Sequence, residues 1–340
     1  MTNTKIPVKS YILNTLCIAL LYAVMMAGVD GKFITRYAQG IIITVCINII
    51  LAVSLNIATG FLGEIALGHA GFMSVGAYTA ALFTKHMEIT TKTPNAWVYL
   101  LVALALGGLV AAAFGMLVGI PALRLKGDYL AIITLGFGEI IRVLIEYVPF
   151  TGGAQGLKSI PKIAKLPVVF WVTIAVVVIL FTFVRSRQGR VITAIREDDI
   201  ASEAVGINNT YYKVMAFVVS AFFAGVAGGL YAHYVGILGA KTFDFNKSID
   251  ILVIVVLGGM GSLTGSIIAA IGLTVLPEAL RGFAEYRMLI YSVALIIVML
   301  FKPSGLFGKY EFSLSRALSN IFKKGKAGNQ PKGTKGGSAA

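Results

Sequence analysis

The sequence predicts an all-α polytopic membrane protein of about ten transmembrane helices, some broken at Gly-rich segments, with a weak internal repeat. Three observations lead there. Of 340 residues, 57% are hydrophobic and only 13% are charged, whereas a soluble domain carries about 25% charged residues. Apolar runs of about 20 residues, the length that crosses a bilayer, recur along the chain. Two apolar stretches, one in each half, are interrupted by glycine clusters, a pattern that marks internal repeats in transporters.

The elements follow in order. Lys5 and Lys9 precede an apolar run at about 10–28. A charged start and an apolar run resemble a signal peptide, but the run is long and no small-residue cleavage site follows, so a retained first helix is expected. Further spans are expected at about 39–58, 66–84, 97–121, 129–148, 168–184, 212–235 and 287–301. The stretch Ile249–Leu280 is too long for one span and contains GGMGSLTGS at Gly258–Ser266. It reads as a short helix (249–257), a break at Gly258, Gly259, Gly261 and Gly265, and a second helix (264–280). NIATGFLGEIALGHAG is its earlier counterpart, broken at Gly60–Gly63 and flanked by Glu64 and His69.

Charge sets the expected topology. The net charge is +14. Much of it sits in short loops and in a tail holding Lys302, Lys309, Arg316, Lys323, Lys324, Lys326, Lys332 and Lys335. Positive loops mark the cytoplasmic side and meet anionic lipid. Both termini are therefore expected inside, which requires an even number of spans. Arg124, Lys126 and the loop Arg185–Lys213 fall on the same side, while Lys158, Lys162, Lys165, Lys241 and Lys247 are left outside. Basic residues interleaved with aromatics are absent, so no nucleic-acid partner is expected. The chain divides into an N-terminal segment with the first helix (1–38), a transmembrane domain (39–307) and a basic, Gly-rich tail (308–340) expected to be disordered. Cys17 and Cys46 lie in apolar spans and read as small core residues rather than a disulfide or metal pair.

The most conspicuous segment is the charged loop RSRQGRVITAIREDDIASEAVGINNTYYK, Arg185–Lys213. Arg185, Arg187 and Arg190 anchor the end of a span at the headgroups. In the stretch that follows, Asp198 or Asp199 can cap a short helix. Ala201, Ala204 and Val205 give it a small apolar face, and Gly206 ends it. Such a helix can slot into a groove of a soluble partner, but a charged run can equally be a solvated connector. Glu139, Arg142 and Glu146 lie at i, i+3 and i+7 on one helix face, where the cation can pair with either acid. They form either a pathway-lining network or an internally neutralised structural pair. The second is preferred, because structural ion networks also occupy such places. Glu64 and His69 read as a hydrogen-bonded structural pair rather than a proton relay. His233, beside Tyr231 and Tyr234, reads as part of an interfacial aromatic belt. Gly115/Gly119, Gly225/Gly229 and Gly261/Gly265 have the spacing of closely packed membrane helices.

Five strings carry a family resemblance: SLNIATGFLGEIALGHAGFMSVGAYTAALF (54–83), GDYLAIITLGFGEIIRVL (127–144), TGGAQGL (151–157), AIREDDIASEAVGIN (194–208) and VVLGGMGSLTGSIIAAIG (255–272). In this order they resemble the LivM type of ABC-importer permease for branched-chain amino acids, over about Ala38–Phe307. The resemblance implies a second permease of LivH type, two cytoplasmic ATPases and an external solute-binding protein. It also implies that the segment containing Ile195, Arg196, Glu197, Asp198, Asp199, Ala201, Glu203, Ala204 and Gly206 is the loop that contacts an ATPase. Its 194–206 helix would take the push of ATP-driven closure. The substrates implied are leucine, isoleucine and valine; the same permease type also serves urea, short amides and other amino acids.

An absence agrees. No G-x-x-x-x-G-K-[ST] string occurs, so ATP used for transport is hydrolysed on another chain. No catalytic, cofactor or metal site is expected, and no H-E-x-x-H, C-x-x-C or G-x-S-x-G string is present. A membrane-embedded enzyme would need polar groups converging at one depth, and the intramembrane charges are mostly self-paired. An ion-coupled transporter working alone is the other rival, and it predicts transport without ATPases.

Overall fold

A computed structural model describes residues 8–125 and 127–283, and beyond them only positions 286, 289, 292, 293, 296, 300–302, 305, 306 and 308. The span expected at 287–301 falls almost wholly outside the described residues. So do Lys5, Lys126, the tail from 309 onward and the side chains of Lys9 and Cys17.

The described residues are helical and form no strand. Helix α1 (Val8–Asp30) belongs to a unit separate from Tyr37–Tyr310. The larger unit holds α2 (Arg36–Asn56, its first residue excepted), α3 (His69–His86), α4 (Ala96–Ala122), α5 (Asp128–Tyr147), α6 (Leu166–Arg185), α7 (Arg187–Glu197), α8 (Asp199–Ala204), α9 (Asn209–Val235), α10 (Phe245–Gly258) and α11 (Leu263–Ala279). Among the described residues, five stretches are long and apolar enough to cross a membrane: Arg36–Phe61, Ala96–Ala122, Leu166–Arg185, Asn209–Val235 and Leu263–Gly282. Helices α3 and α5 form where spans were expected but miss that standard. His69, Lys85 and His86 lower the hydropathy of α3, and α5 carries Asp128, Glu139, Arg142 and Glu146.

Burial separates centre from periphery. The apolar window of Arg36–Phe61 is 78% buried and that of Asn209–Val235 is 67% buried, against 28% for Leu166–Arg185. A helix apolar on all sides needs either protein or lipid around it. Helix α2 has protein: every residue from Cys46 to Asn56 is buried. Helices α4 and α6 expose Leu109, Leu117, Val178 and Ile179, as lipid-facing helices do.

Helices α3, α4 and α9 pack at backbone distance. In lipid, helices associate through close packing of small residues rather than through exclusion of water. Gly76 on α3 lies against the backbone of Gly225 on α9, and a Cβ on Gly107 of α4 would stand 2.7 Å from the Gly76 carbonyl oxygen. A Cβ on Gly115 would meet Ala221 at 2.5 Å, and one on Gly119 would meet Phe217 at 2.9 Å. The Gly115/Gly119 and Gly225/Gly229 spacings thus mark real helix contacts. Gly261/Gly265 does not: Gly261 sits outside any helix with φ +89, and of the two only Gly265 makes a helix-to-helix contact, against Gly258. The spacing is right, but α11 begins only at Leu263, between the two.

Buried side-chain hydrogen bonds then fix the register of the bundle. Ser220 on α9 donates to the Ser54 carbonyl at 2.8 Å, and the Ser248 hydroxyl on α10 accepts from the Ala70 amide at 3.1 Å. His233 is fully buried in α9. Its Nδ1 lies 2.8 Å from the Gly229 carbonyl and its Nε2 lies 3.0 Å from the Thr84 hydroxyl of α3. It is a core residue and not part of an interfacial belt. The sequence alone places it near a helix end, but the segment before α6 reaches that end, where the Ala164 amide donates to the His233 carbonyl at 3.4 Å and the Ile160 amide to the Gly236 carbonyl at 3.2 Å.

Candidate functional site

Two interrupted helices meet at one place. The first break begins where α2 widens into a π turn, Ile57–Phe61, in which the Leu62 amide donates to the Ile57 carbonyl at 3.1 Å. Non-helical backbone then runs to His69. A π turn inserts an extra residue, and such turns cluster at functional sites. The second break is the four-residue gap between α10 and α11, with Gly259 at φ +112 and Gly261 at φ +89. Ser262 caps α11 by accepting from the Gly265 amide.

Asn56 joins the two breaks. Its amide nitrogen donates to the Ser262 carbonyl at 2.9 Å and to the Ser266 hydroxyl at 2.7 Å. Its amide oxygen accepts from the Gly261 backbone N–H at 2.9 Å. Asn56 is fully buried, so these bonds replace water that cannot reach it. Gly60 and Gly63 leave room for what lies above. A side chain on Gly60 would overlap Asn56, and one on Gly63 would meet Arg196 Cγ at 2.9 Å. Arg196 donates to the Gly60 carbonyl, and its Nη1 lies 2.8 Å from where a Gly261 Cβ would be. One guanidinium thus covers both breaks.

The charged loop is built differently from its sequence reading. It holds two helices, not one 194–206 helix: α7 and α8 are separated at Asp198, whose backbone is extended. Ser186 caps α7 through Gly189, and Gly189, Ile192 and Ile195 are its buried face. Ile195, Arg196 and Glu197 therefore belong to the helix packed on the bundle. Asp198 caps α8, accepting from Ile200 at 3.0 Å and Ala201 at 2.9 Å. The chain turns out of α8 at Gly206 with φ +86, a conformation only glycine adopts freely. Ala201, Glu203 and Ala204 are exposed, while Ile200 and Val205 are 80% and 77% exposed.

An ion-paired strut ties α8 to the first break. Lys213 at the start of α9 lies 3.1 Å from Glu64 and 3.3 Å from Asp199. Asn209 donates to the Asp199 carbonyl and carboxylate at 2.6 and 2.8 Å, and accepts from Ser202 at 3.1 Å. Glu64 and His69 do not pair with each other. Glu64 points to Lys213, while the His69 ring bonds Ser54 at 3.0 Å. The non-helical backbone between them takes the two side chains to different partners.

Between the breaks, α7 and α8 lies a cavity of about 450 Å³. Glu64, Arg196, Asp199 and Lys213 give it charge, and Leu62, Ile195 and Met260 give it apolar wall. Thr59 also lines it; its hydroxyl is buried and has no hydrogen-bond partner.

The α5 charges form a separate cluster. Arg142 bonds Glu139 at 2.7 Å and Glu146 at 3.1 Å, and among the described residues neither break supplies it a partner. Sequence reasoning missed Asn56, Thr59 and Lys213 as site residues. Asn56 has a signal, a carboxamide inside an otherwise apolar run. Lys213 has one too, as a single cation at the first turn of a span. Thr59 has none, because a threonine in a span ordinarily bonds its own helix.

Comparison with known proteins follows this geometry. The family model described as branched-chain amino acid transport system, permease component, matches residues 37–301. The high-affinity branched-chain amino acid transport system permease protein LivM of Salmonella typhimurium is 37% identical over 322 residues, 84% of this chain and 74% of that protein. Its Escherichia coli counterpart is 38% identical over the same length and shares. The LivH permease protein of Escherichia coli is 27% identical over 277 residues, 74% of this chain and 88% of that protein. No solved structure matches.

Proposed function

The chain belongs to the permease-component family of branched-chain amino acid transport systems, and from that premise we infer that it is one membrane half of an ATP-driven importer of leucine, isoleucine and valine. The permease domain is 39–307. The second half of the pathway comes from a LivH-type permease, solute arrives on an external binding protein, and two ATPase subunits act from the cytoplasm of a bacterial inner membrane. Both termini and the loop Arg185–Lys213 face that cytoplasm.

The observation that carries this reading is the build of α8. It is short, capped at both ends, and held at its base by Asp199–Lys213 and Asn209. Yet it presents Ile200 and Val205 almost bare. Exposed apolar side chains on a rigidly braced element mark a docking surface. A groove on an ATPase would cover Ile200, Ala201, Ala204 and Val205. Motion of α8 would pass through Lys213 to Glu64, and α7 would carry it through Arg196 to Gly60 and Gly261. Both routes end at the helix breaks, where a change of packing can open or close a path.

Ala204→Trp tests this. The bundle should fold, because Ala204 lies outside it. Overpacking a fitted contact costs about 1–3 kcal/mol, so recovery with a tagged ATPase should fall about tenfold and uptake should uncouple from hydrolysis. Full recovery and full uptake would make the segment a solvated connector.

A further inference from the structure

The cavity under α7 and α8 has the chemistry of a ligand site rather than of a packing gap. Its volume of about 450 Å³ lies within the roughly 300–1,000 Å³ usual for small-molecule pockets. Two cations, Arg196 and Lys213, face two acids, Glu64 and Asp199. The charged lining sums to zero, which suits neither a simple anion nor a simple cation. It suits a molecule carrying both charges. The walls beside them are branched or flexible apolar side chains: Leu62, Ile195 and Met260.

Thr59 supplies the second observation. The residue borders the cavity, and its hydroxyl is buried with no protein partner. A buried polar group without a partner is costly, and a native structure keeps one where something else completes it. Arg196 is under-used in the same way. Of its five N–H donors, hydrogen bonding to Gly60 occupies one nitrogen.

We propose that this cavity is an exit-side binding site for a zwitterionic aliphatic α-amino acid. Its carboxylate lies on Arg196 and the Thr59 hydroxyl, its ammonium on the Glu64 carboxylate oxygen that Lys213 does not bond, and its side chain against Leu62, Ile195 and Met260. The inference rests on the import reading above and adds a station on the α8 side, where solute pauses between the helix breaks before release. A ligand there touches both the first break and the base of α8. The site is therefore filled or emptied by the same movement that the coupling helices transmit.

The test is equilibrium binding of labelled leucine to the purified permease and ATPase assembly, without the external binding protein, alongside uptake by the same assembly with that protein added. Saturable binding is expected, displaced by isoleucine and valine. It should resist 4-methylpentanoate, which lacks the ammonium, and 3-methylbutylamine, which lacks the carboxylate. Thr59→Val should weaken binding about tenfold, the worth of one hydrogen bond to a charged group. Its recovery should be unchanged, because the lost hydroxyl had no protein partner. Thr59→Ser should restore binding. Uptake without saturable binding, or Thr59→Val binding like the parent, would overturn the exit site and leave the import reading standing. Loss of both uptake and binding in the parent assembly would overturn the import reading as well.

Discussion

Lys213 is the residue on which most of the site's electrostatics converge. Its side chain is 11% exposed and Glu64 is 14% exposed, whereas Asp199 is 34% exposed. Removing one partner of a buried pair leaves a charge stranded, at about 3–5 kcal/mol. The partial exposure of Asp199 trims its share toward the surface value of 0–1 kcal/mol. Lys213→Met should therefore destabilise the purified assembly by roughly 3 kcal/mol, read as a lower thermal midpoint. Adding Glu64→Gln should recover part of the loss, since the stranded acid is then neutral. A double variant no better than the single would show that Glu64 does not depend on Lys213. Asn56 differs, because it is neutral and its three bonds all cross between the two breaks. Asn56→Leu should cost about 1–3 kcal/mol for each polar group left bare.

Elements of this chain were legible in proportion to how apolar they are. Helices α2, α4, α6 and α9 begin and end within a few residues of the runs that announce them. In a span, length and hydropathy together leave the backbone only one choice, a helix. Both breaks were legible for the opposite reason, since Gly60–Gly63 and Gly258–Ser266 interrupt those runs. Helix α7 was not. RQGRVITAIRE buries only Gly189, Ile192 and Ile195, and three basic residues mask that period. The partners of Glu64 and His69 were also hidden, because Glu64 lies in a non-helical break and His69 is the first residue after it, where no periodicity has yet begun to place a side chain. Where glycines touch was readable only in outline. Gly76→Val tests the tightest of these contacts. The added side chain would meet the Gly225 backbone, which cannot retreat. Overpacking costs about 1–3 kcal/mol, so membrane abundance should drop, measured by quantitative blotting against the parent. Unchanged abundance would mean that α3 and α9 can part without cost.

For the molecule as a whole, the fold and the charges divide the labour. The α3, α4 and α9 core packs closely through backbone and small residues. The breaks, by contrast, are held by Asn56, Arg196 and the Lys213 strut, which are few, polar and linked to an exposed helix. On the proposed function, the energy source is another chain and the moving parts lie at the α8 end. The direct test is uptake of labelled leucine into proteoliposomes holding this chain with its LivH-type partner, with and without the ATPase subunits, at fixed external binding protein. Accumulation should require ATP and the ATPases together and should vanish when either is withheld. Accumulation driven by an ion gradient through this chain alone would contradict the account.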